Sequence, residues 1–167
     1  VGLIFLLGAL FKSPFVVFNS FIILGFLLNG ISFYVSTRAL NLSRQSSFLF
    51  ALLFAFPAYA IYRSQGHAFL AHYYAIPMAG WLAFSLYYQP NRFRLRDLRM
   101  GKSSSIQFAL TVIVLVILIG FSGFYYSFFS IMMIVAVGLI STLRRKSFQP
   151  LAAALGLGAG VVVSVLV

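Results

Sequence analysis

The sequence has no cysteine and a single acidic residue, Asp97, among its 167 residues. The absence of cysteine excludes disulfides, thiolate nucleophiles and cysteine metal ligands. One carboxylate is too few for a paired-carboxylate mechanism, a carboxylate-rich metal site or an acidic proton relay built from this chain alone. We therefore expect neither a bound metal ion nor a cofactor.

Charge of either sign is also scarce. Charged residues make up 8% of the chain and hydrophobic residues 62%, whereas a soluble domain carries roughly a quarter charged residues. A net charge of +11 often indicates nucleic-acid binding. Here the cations are confined to short connectors between apolar runs, so membrane topology accounts for them and we predict no nucleic-acid partner.

The apolar runs are long enough to cross a bilayer, whose hydrocarbon core needs about 20 helical residues. Their Ile-rich and Leu-rich segments do not alternate as barrel strands do, and in lipid the backbone must be hydrogen bonded internally. We predict an all-α polytopic transmembrane bundle of about six to seven spans. It forms one domain over 1–167, a fragment of a longer protein with its first and last spans incomplete. The predicted spans are 1–11, 14–37, 47–62, 68–88, 106–122, 124–140 and 150–167.

If each predicted span crosses the membrane in turn, ten of the twelve basic residues lie on one side of the membrane and two, Lys12 and Arg63, on the other. The positive side of a membrane protein is cytoplasmic, so the side with ten basic residues is predicted to face the cytoplasm. This charge bias is typical of a bacterial inner (plasma) membrane protein, which we predict. The span over 47–62 is short and contains Pro57. If this span did not cross the membrane, nine basic residues would lie on one side and three on the other. The predicted cytoplasmic residues are Arg38, Arg44, Arg92, Arg94, Arg96, Arg99, Lys102, Arg144, Arg145 and Lys146.

The stretch from Arg63 to Pro77 is the strongest candidate for chemistry, on the predicted outer side. A guanidinium at Arg63 presents a planar fork of donors to a phosphate, and His67 can donate to a phosphate or relay a proton near neutral pH. His67 and His72 are five residues apart, which does not suit a helical metal pair. Alternatively, Arg63 snorkels at a helix end and both histidines pack between helices.

Other features have simpler interpretations. The connector with Arg92, Arg94, Arg96, Arg99 and Lys102 is predicted to be an orientation signal that faces anionic lipid. Asn29 either bonds between helices or faces a lipid-substrate groove, and Gly156 and Gly160 form a GxxxG motif that permits close helix packing without deciding the oligomeric state. Tyrosines near the span ends are expected at the headgroup level: Tyr73, Tyr74, Tyr87, Tyr88, Tyr125 and Tyr126.

Two local patterns together resemble a known family. One is Arg63-x-x-Gly66-His67, followed by Tyr73 and the step Ile76-Pro77-Met78. The other is the segment Gly123-Phe-Tyr-Tyr-Ser-Phe-Phe129 after a short turn. The combination is similar to a middle portion of bacterial GT-C-type membrane glycosyltransferases and their relatives, and it covers less than half of the chain.

The resemblance implies an enzyme that transfers sugar from a polyprenyl-phosphate donor at the extracytoplasmic face. Arg63, Gly66, His67 and His72 would then form the donor or lipid-phosphate site, with close backbone approach at Gly66. This chain has no acidic residue on that face, so a catalytic carboxylate would lie outside it or the protein would be a non-catalytic relative. The alternatives are a multi-spanning transporter or lipid flippase, or an assembly subunit. Membrane lipids are the expected partners.

Overall fold

The computed structural model describes residues 2–93 and 103–166, and every regular element within those ranges is helical. This confirms the all-α prediction. The α-helices are α1 (Gly2–Leu10), α2 (Pro14–Ala39), α3 (Arg44–Ala55), α4 (Ala58–Gly66), α5 (Ala75–Tyr88), α6 (Ser103–Phe121), α7 (Phe124–Arg145) and α8 (Gln149–Leu166), with short 3₁₀ turns at Ala68–Ala71 and Pro90–Phe93.

Four helices, α2, α6, α7 and α8, are long and apolar enough to cross a membrane. Each corresponds to a predicted span and begins within three residues of its predicted start. The outer surface is crowded with exposed large apolar side chains, and a soluble protein rarely leaves so much contiguous apolar surface in water. The chain is a membrane protein.

The two central spans are interrupted, which corrects their predicted boundaries. The run 47–62 contains the end of α3 at Ala55 and the start of α4 at Ala58. Pro57 explains the break, because proline lacks an N–H and disfavours helical geometry in the residue before it. With 12 residues, α3 extends about 18 Å, well short of the hydrocarbon core. The run 68–88 is likewise a 3₁₀ turn followed by the 14-residue helix α5.

Helix α5 is central to the bundle and packs against α2, α6, α7 and α8. Its buried stripe, Ala75, Ala79, Leu82 and Leu86, follows the helical spacing of one face. The stripe belongs to one core cluster with Ile119, Ile134 and Val161 from α6, α7 and α8. The packing of α5 therefore determines where the interrupted segment before it lies.

Helices α6 and α7 are joined by the short turn expected from the sequence. Gly123 has a φ of 100°, a conformation that side chains other than glycine rarely adopt. The principal partner of α6 is α8, however, and α7 packs against both α5 and α8. Small residues permit this packing: a Cβ built at Gly138 would lie 3.2 Å from the Pro150 carbonyl oxygen.

Candidate functional site

The chain has three non-helical breaks between α3 and α5, at 56–57, at 67 and at 72–74. In a membrane, carbonyl groups left free at such breaks need partners from the protein, because lipid offers none. The Tyr73 hydroxyl donates to the Phe54 carbonyl oxygen at 2.7 Å, close to the end of α3. Tyr126 donates to the Leu70 carbonyl oxygen. The interrupted segment is thus held by side chains.

A third side chain, on α2, also donates a hydrogen bond to a carbonyl of the interrupted segment. Asn29, which is fully buried, donates from Nδ2 to the Ala71 carbonyl oxygen at 2.8 Å. Buried polar groups that bond across elements fix the elements relative to one another, because leaving one unpaired is costly. Asn29 and Tyr126 therefore hold the 3₁₀ turn between α2 and α7, and Tyr73 ties the residues that follow the turn to the end of α3. Asn29 bonds between elements, which was one of the two roles considered for it.

A cavity of about 730 Å³ lies beside the hydrogen-bonded residues Tyr73 and Tyr126. Its volume falls within the range of small-molecule sites, roughly 300–1,000 Å³. Its walls are apolar and aromatic, and Tyr59, Tyr73 and Tyr126 are among the residues that line it. Among the described residues, no charged side chain lines it. The lining residues are Leu53, Phe54, Pro57, Tyr59, Tyr73, Ile76, Tyr125, Tyr126, Phe129, Ser130 and Met133.

This arrangement suits a long apolar ligand that carries few hydroxyl or ether groups. Aromatic and aliphatic walls remove apolar surface from lipid or water, and tyrosine hydroxyls can donate to or accept from a ligand oxygen. The described lining residues offer no counter-ion to a phosphate. A phosphate of such a ligand would need a cation other than these residues.

The structure separates the two histidines of the predicted site. His72 is buried, and its ring stacks on Phe21 of α2 with ring centroids 3.9 Å apart. The same ring covers Gly25, where a Cβ would lie 2.6 Å from His72 Cδ2. The His72 Nε2 has no hydrogen-bond partner among the described residues. His67, by contrast, is exposed just after α4.

The other predicted site residues lie on α4. Arg63 belongs to α4 by its backbone, and its side chain lies outside the described part of the structure. Gly66 is the last residue of α4, and a Cβ built there would meet no described atom within 4 Å. Among the described residues, then, no close backbone approach requires glycine at that position.

Two of the three predicted basic loops meet at one end of the bundle. Arg145 donates from Nη2 to the carbonyl oxygens of Tyr87 and Tyr88, at 3.1 and 3.3 Å, and Gln149 donates to Pro90 at 2.6 Å. Arg92 is exposed there, with its guanidinium carbon 4.3 Å from the centre of the Phe108 ring. The remaining predicted residues of that connector, Arg94, Arg96, Arg99 and Lys102, lie outside the described ranges.

The hydrogen bonds from Tyr73 and Tyr126 to backbone carbonyls of other elements were not predicted. Tyr73, Tyr74 and Tyr126 lie near helix ends, as expected, but their rings are buried in the protein and not exposed at a headgroup level. Burial of Tyr73 and Tyr126 is favoured because their hydroxyls reach the carbonyl oxygens of Phe54 and Leu70. A signal was present in the sequence: Pro57 marks a helix break, and a break within an apolar stretch requires donors nearby.

These features define an all-helical integral membrane protein with an interrupted central segment and an aromatic cavity that is open on one side. No protein-family model matches the chain, and no curated protein or solved structure was found to be similar to it.

Proposed function

We propose that this chain is part of an integral membrane glycosyltransferase-like protein that binds a polyprenyl-phosphate-linked sugar at the extracytoplasmic face. The observation that carries the proposal is the cavity beside the interrupted segment. An isoprenoid chain is long, apolar and uncharged, so it complements walls made of Leu53, Phe54, Phe129 and Met133. In this proposal the cavity takes the part of the lipid nearest to the phosphate.

The position of α4 links the cavity to the predicted phosphate site. Tyr59 lines the cavity, and Arg63 follows four residues later on the same helix, a spacing that puts two positions on one helix face. A phosphate beyond the cavity edge would then lie toward Arg63 and His67. Cationic and N–H donors placed there would stabilise the negative charge that develops on the departing phosphate.

The proposal assigns donor binding and leaving-group stabilisation to this chain, and not proton abstraction from the acceptor. A general base within hydrogen-bond reach of the acceptor hydroxyl is needed for that step. Asp97 is the only carboxylate of the sequence, and it belongs to the connector predicted to be cytoplasmic. The base is therefore proposed to come from outside these 167 residues.

The test uses the full-length protein in its own membranes. We expect Arg63→Ala and His67→Ala to abolish sugar transfer from a labelled polyprenyl-phosphate donor without lowering the amount of protein in the membrane. Lys12→Ala is the matched control, because Lys12 is the other cation on the predicted outer side and is exposed between α1 and α2. Normal transfer by both variants would remove Arg63 and His67 from the mechanism.

A second candidate is a transporter or lipid flippase, and the interrupted helices are the observation that favours it. Transporters bind substrate at discontinuous helices near the bilayer midplane. Reconstitution in vesicles separates the two functions. A transferase converts the labelled donor into a glycosylated product, whereas a flippase moves intact donor to the other leaflet.

A further inference from the structure

A second concave surface lies at the opposite end of α5 from the interrupted segment. It is a groove of about 320 Å³ between α5 and α7, lined by Ala83, Phe84, Tyr87, Tyr88, Val137 and Ile140. Phe84, Tyr88 and Ile140 are exposed, so the groove opens on the outside of the bundle. Four helices of the bundle can span a membrane, and lipid acyl chains are the apolar molecules that surround such a surface.

Arginines stand at the end of this groove. Arg144 follows Ile140 by four residues on α7, a spacing that places both on one face. Its Nη1 donates to the Tyr87 hydroxyl, and its guanidinium carbon lies 5.2 Å from the centre of the Tyr87 ring. Arg145 is anchored beside it on the Tyr87 and Tyr88 carbonyl oxygens.

These contacts orient the two guanidinium groups and leave them with charge to neutralise. Each described hydrogen bond of Arg144 and Arg145 uses one terminal nitrogen, and a guanidinium has five N–H donors. Both side chains are exposed. The chain has twelve basic residues and one acidic residue, so carboxylates of this chain cannot balance the Arg144–Lys146 cluster. The cluster therefore attracts anionic molecules.

We propose that the α5–α7 groove and Arg144 together form a specific site for one anionic phospholipid. An acyl chain lies along Phe84, Val137 and Ile140, and the headgroup phosphate accepts hydrogen bonds from Arg144 and Arg145. Basic pockets between membrane helices bind lipid headgroups in this way, and arginine is suited to bidentate contact with phosphate. The site is independent of the proposed donor cavity, which lies near the start of α5.

The experiment measures lipid retention by native mass spectrometry on the full-length protein in detergent. Phosphatidylglycerol, phosphatidylcholine and free glycerol phosphate are the three probes. We expect one phosphatidylglycerol to be retained in preference to phosphatidylcholine, and glycerol phosphate alone not to bind. Arg144→Gln should weaken phosphatidylglycerol retention about fivefold. Equal retention of the two phospholipids by the unaltered protein would overturn the proposal.

Arg44→Gln is the matched control, because Arg44 is exposed at the start of α3 and belongs to a different helix pair. It removes the same charge and should leave retention unchanged; a loss equal to that of Arg144→Gln would mean general attraction and no site. Ile140→Trp tests the groove without changing charge, and it also covers the case in which Arg144→Gln fails to fold. We expect it to weaken retention, and unchanged retention would contradict the acyl-chain part of the site.

Discussion

Tyr73 and Phe54 are 19 residues apart in the chain, and the hydroxyl of one donates to the carbonyl oxygen of the other at 2.7 Å. A longer contact of 3.4 Å joins the same hydroxyl to the Ala55 carbonyl oxygen. The end of α3 therefore depends on a side chain that lies just before α5. This dependence makes the interrupted segment sensitive to the loss of a single oxygen atom.

Tyr73→Phe should destabilise the folded protein by about 1 kcal/mol, because the Phe54 carbonyl loses its donor while packing is preserved. Unfolding in a detergent titration measures the free-energy change. Tyr62→Phe is the control, since Tyr62 is 81% exposed on α4 and should behave like the unaltered protein. Equal stability of the two variants would mean that the Tyr73 hydroxyl does not support α3.

Gly25→Ala should destabilise the protein by about 1–3 kcal/mol, because the added Cβ would collide with the His72 ring that stacks on Phe21. Thermal unfolding in detergent is the measurement. Gly80→Ala is the control on α5, where a Cβ meets no described atom within 4 Å; it should be neutral or slightly stabilising, since alanine favours helix.

The predicted collision between the added Cβ of Gly25→Ala and the His72 ring can be checked by removing the ring. If the His72 ring is the obstacle, the double variant Gly25→Ala/His72→Ala should lose less stability than the two single variants predict together. Strict additivity would show that the cost of Gly25→Ala arises elsewhere on α2.

The small residues of α7 and α8 are expected to differ in their tolerance of substitution. Gly138→Ala would place a Cβ against Ala154 and 3.2 Å from the backbone carbonyl oxygen of Pro150, so the helices would have to separate at a cost of about 1–3 kcal/mol. Gly156→Ala meets no described atom within 4 Å and should leave the free energy of unfolding almost unchanged. The reverse order would contradict the α7–α8 packing.

The GxxxG motif illustrates what spacing alone can predict. Gly160 approaches Val116 of α6, where a Cβ would lie 3.0 Å from Cγ1, whereas a Cβ at Gly156 would meet no described atom. The motif was associated with close helix packing, either within the chain or between chains, and Gly160 makes such a contact with α6. Which of its two glycines packs depends on how α8 is rotated against α6, and residue spacing does not determine that rotation.

The continuous helices were predictable because each is a long apolar run with a clear end. The predicted span over 124–140 begins where α7 begins, at Phe124, directly after Gly123. The interrupted segment was not predictable in the same way, because the runs 47–62 and 68–88 are also mainly apolar and only Pro57 indicates a break. Their breaks are stabilised by Tyr73 and Tyr126, which act on carbonyls 19 and 56 residues away in sequence.

The predicted phosphate site of Arg63, Gly66, His67 and His72 stays a prediction, and none of these residues is among those that line the cavity. Local spacing drew attention to the segment from Arg63 to His72, and the interrupted helices do lie there. Local spacing could not separate exposed His67 from buried His72, because the burial of His72 results from contact with Phe21 and Gly25 on α2. Nor could it reveal the groove at Arg144, which two helices distant in sequence create together.

The predicted orientation can be tested by cysteine labelling, because the sequence has no native cysteine to remove. The positive-inside rule predicts that the turn at Ser147, which follows Arg144–Lys146, is cytoplasmic. His67 is predicted to be extracytoplasmic on the condition that the interrupted run 47–62 still crosses the membrane. Both positions are exposed. In intact cells, a membrane-impermeant maleimide should label His67→Cys, and it should label Ser147→Cys only after the membrane is permeabilised. His72→Cys should resist the reagent under both conditions, because position 72 is 5% exposed. Labelling of Ser147→Cys in intact cells would invert the topology, and it would move the proposed sugar-transfer site to the cytoplasmic face.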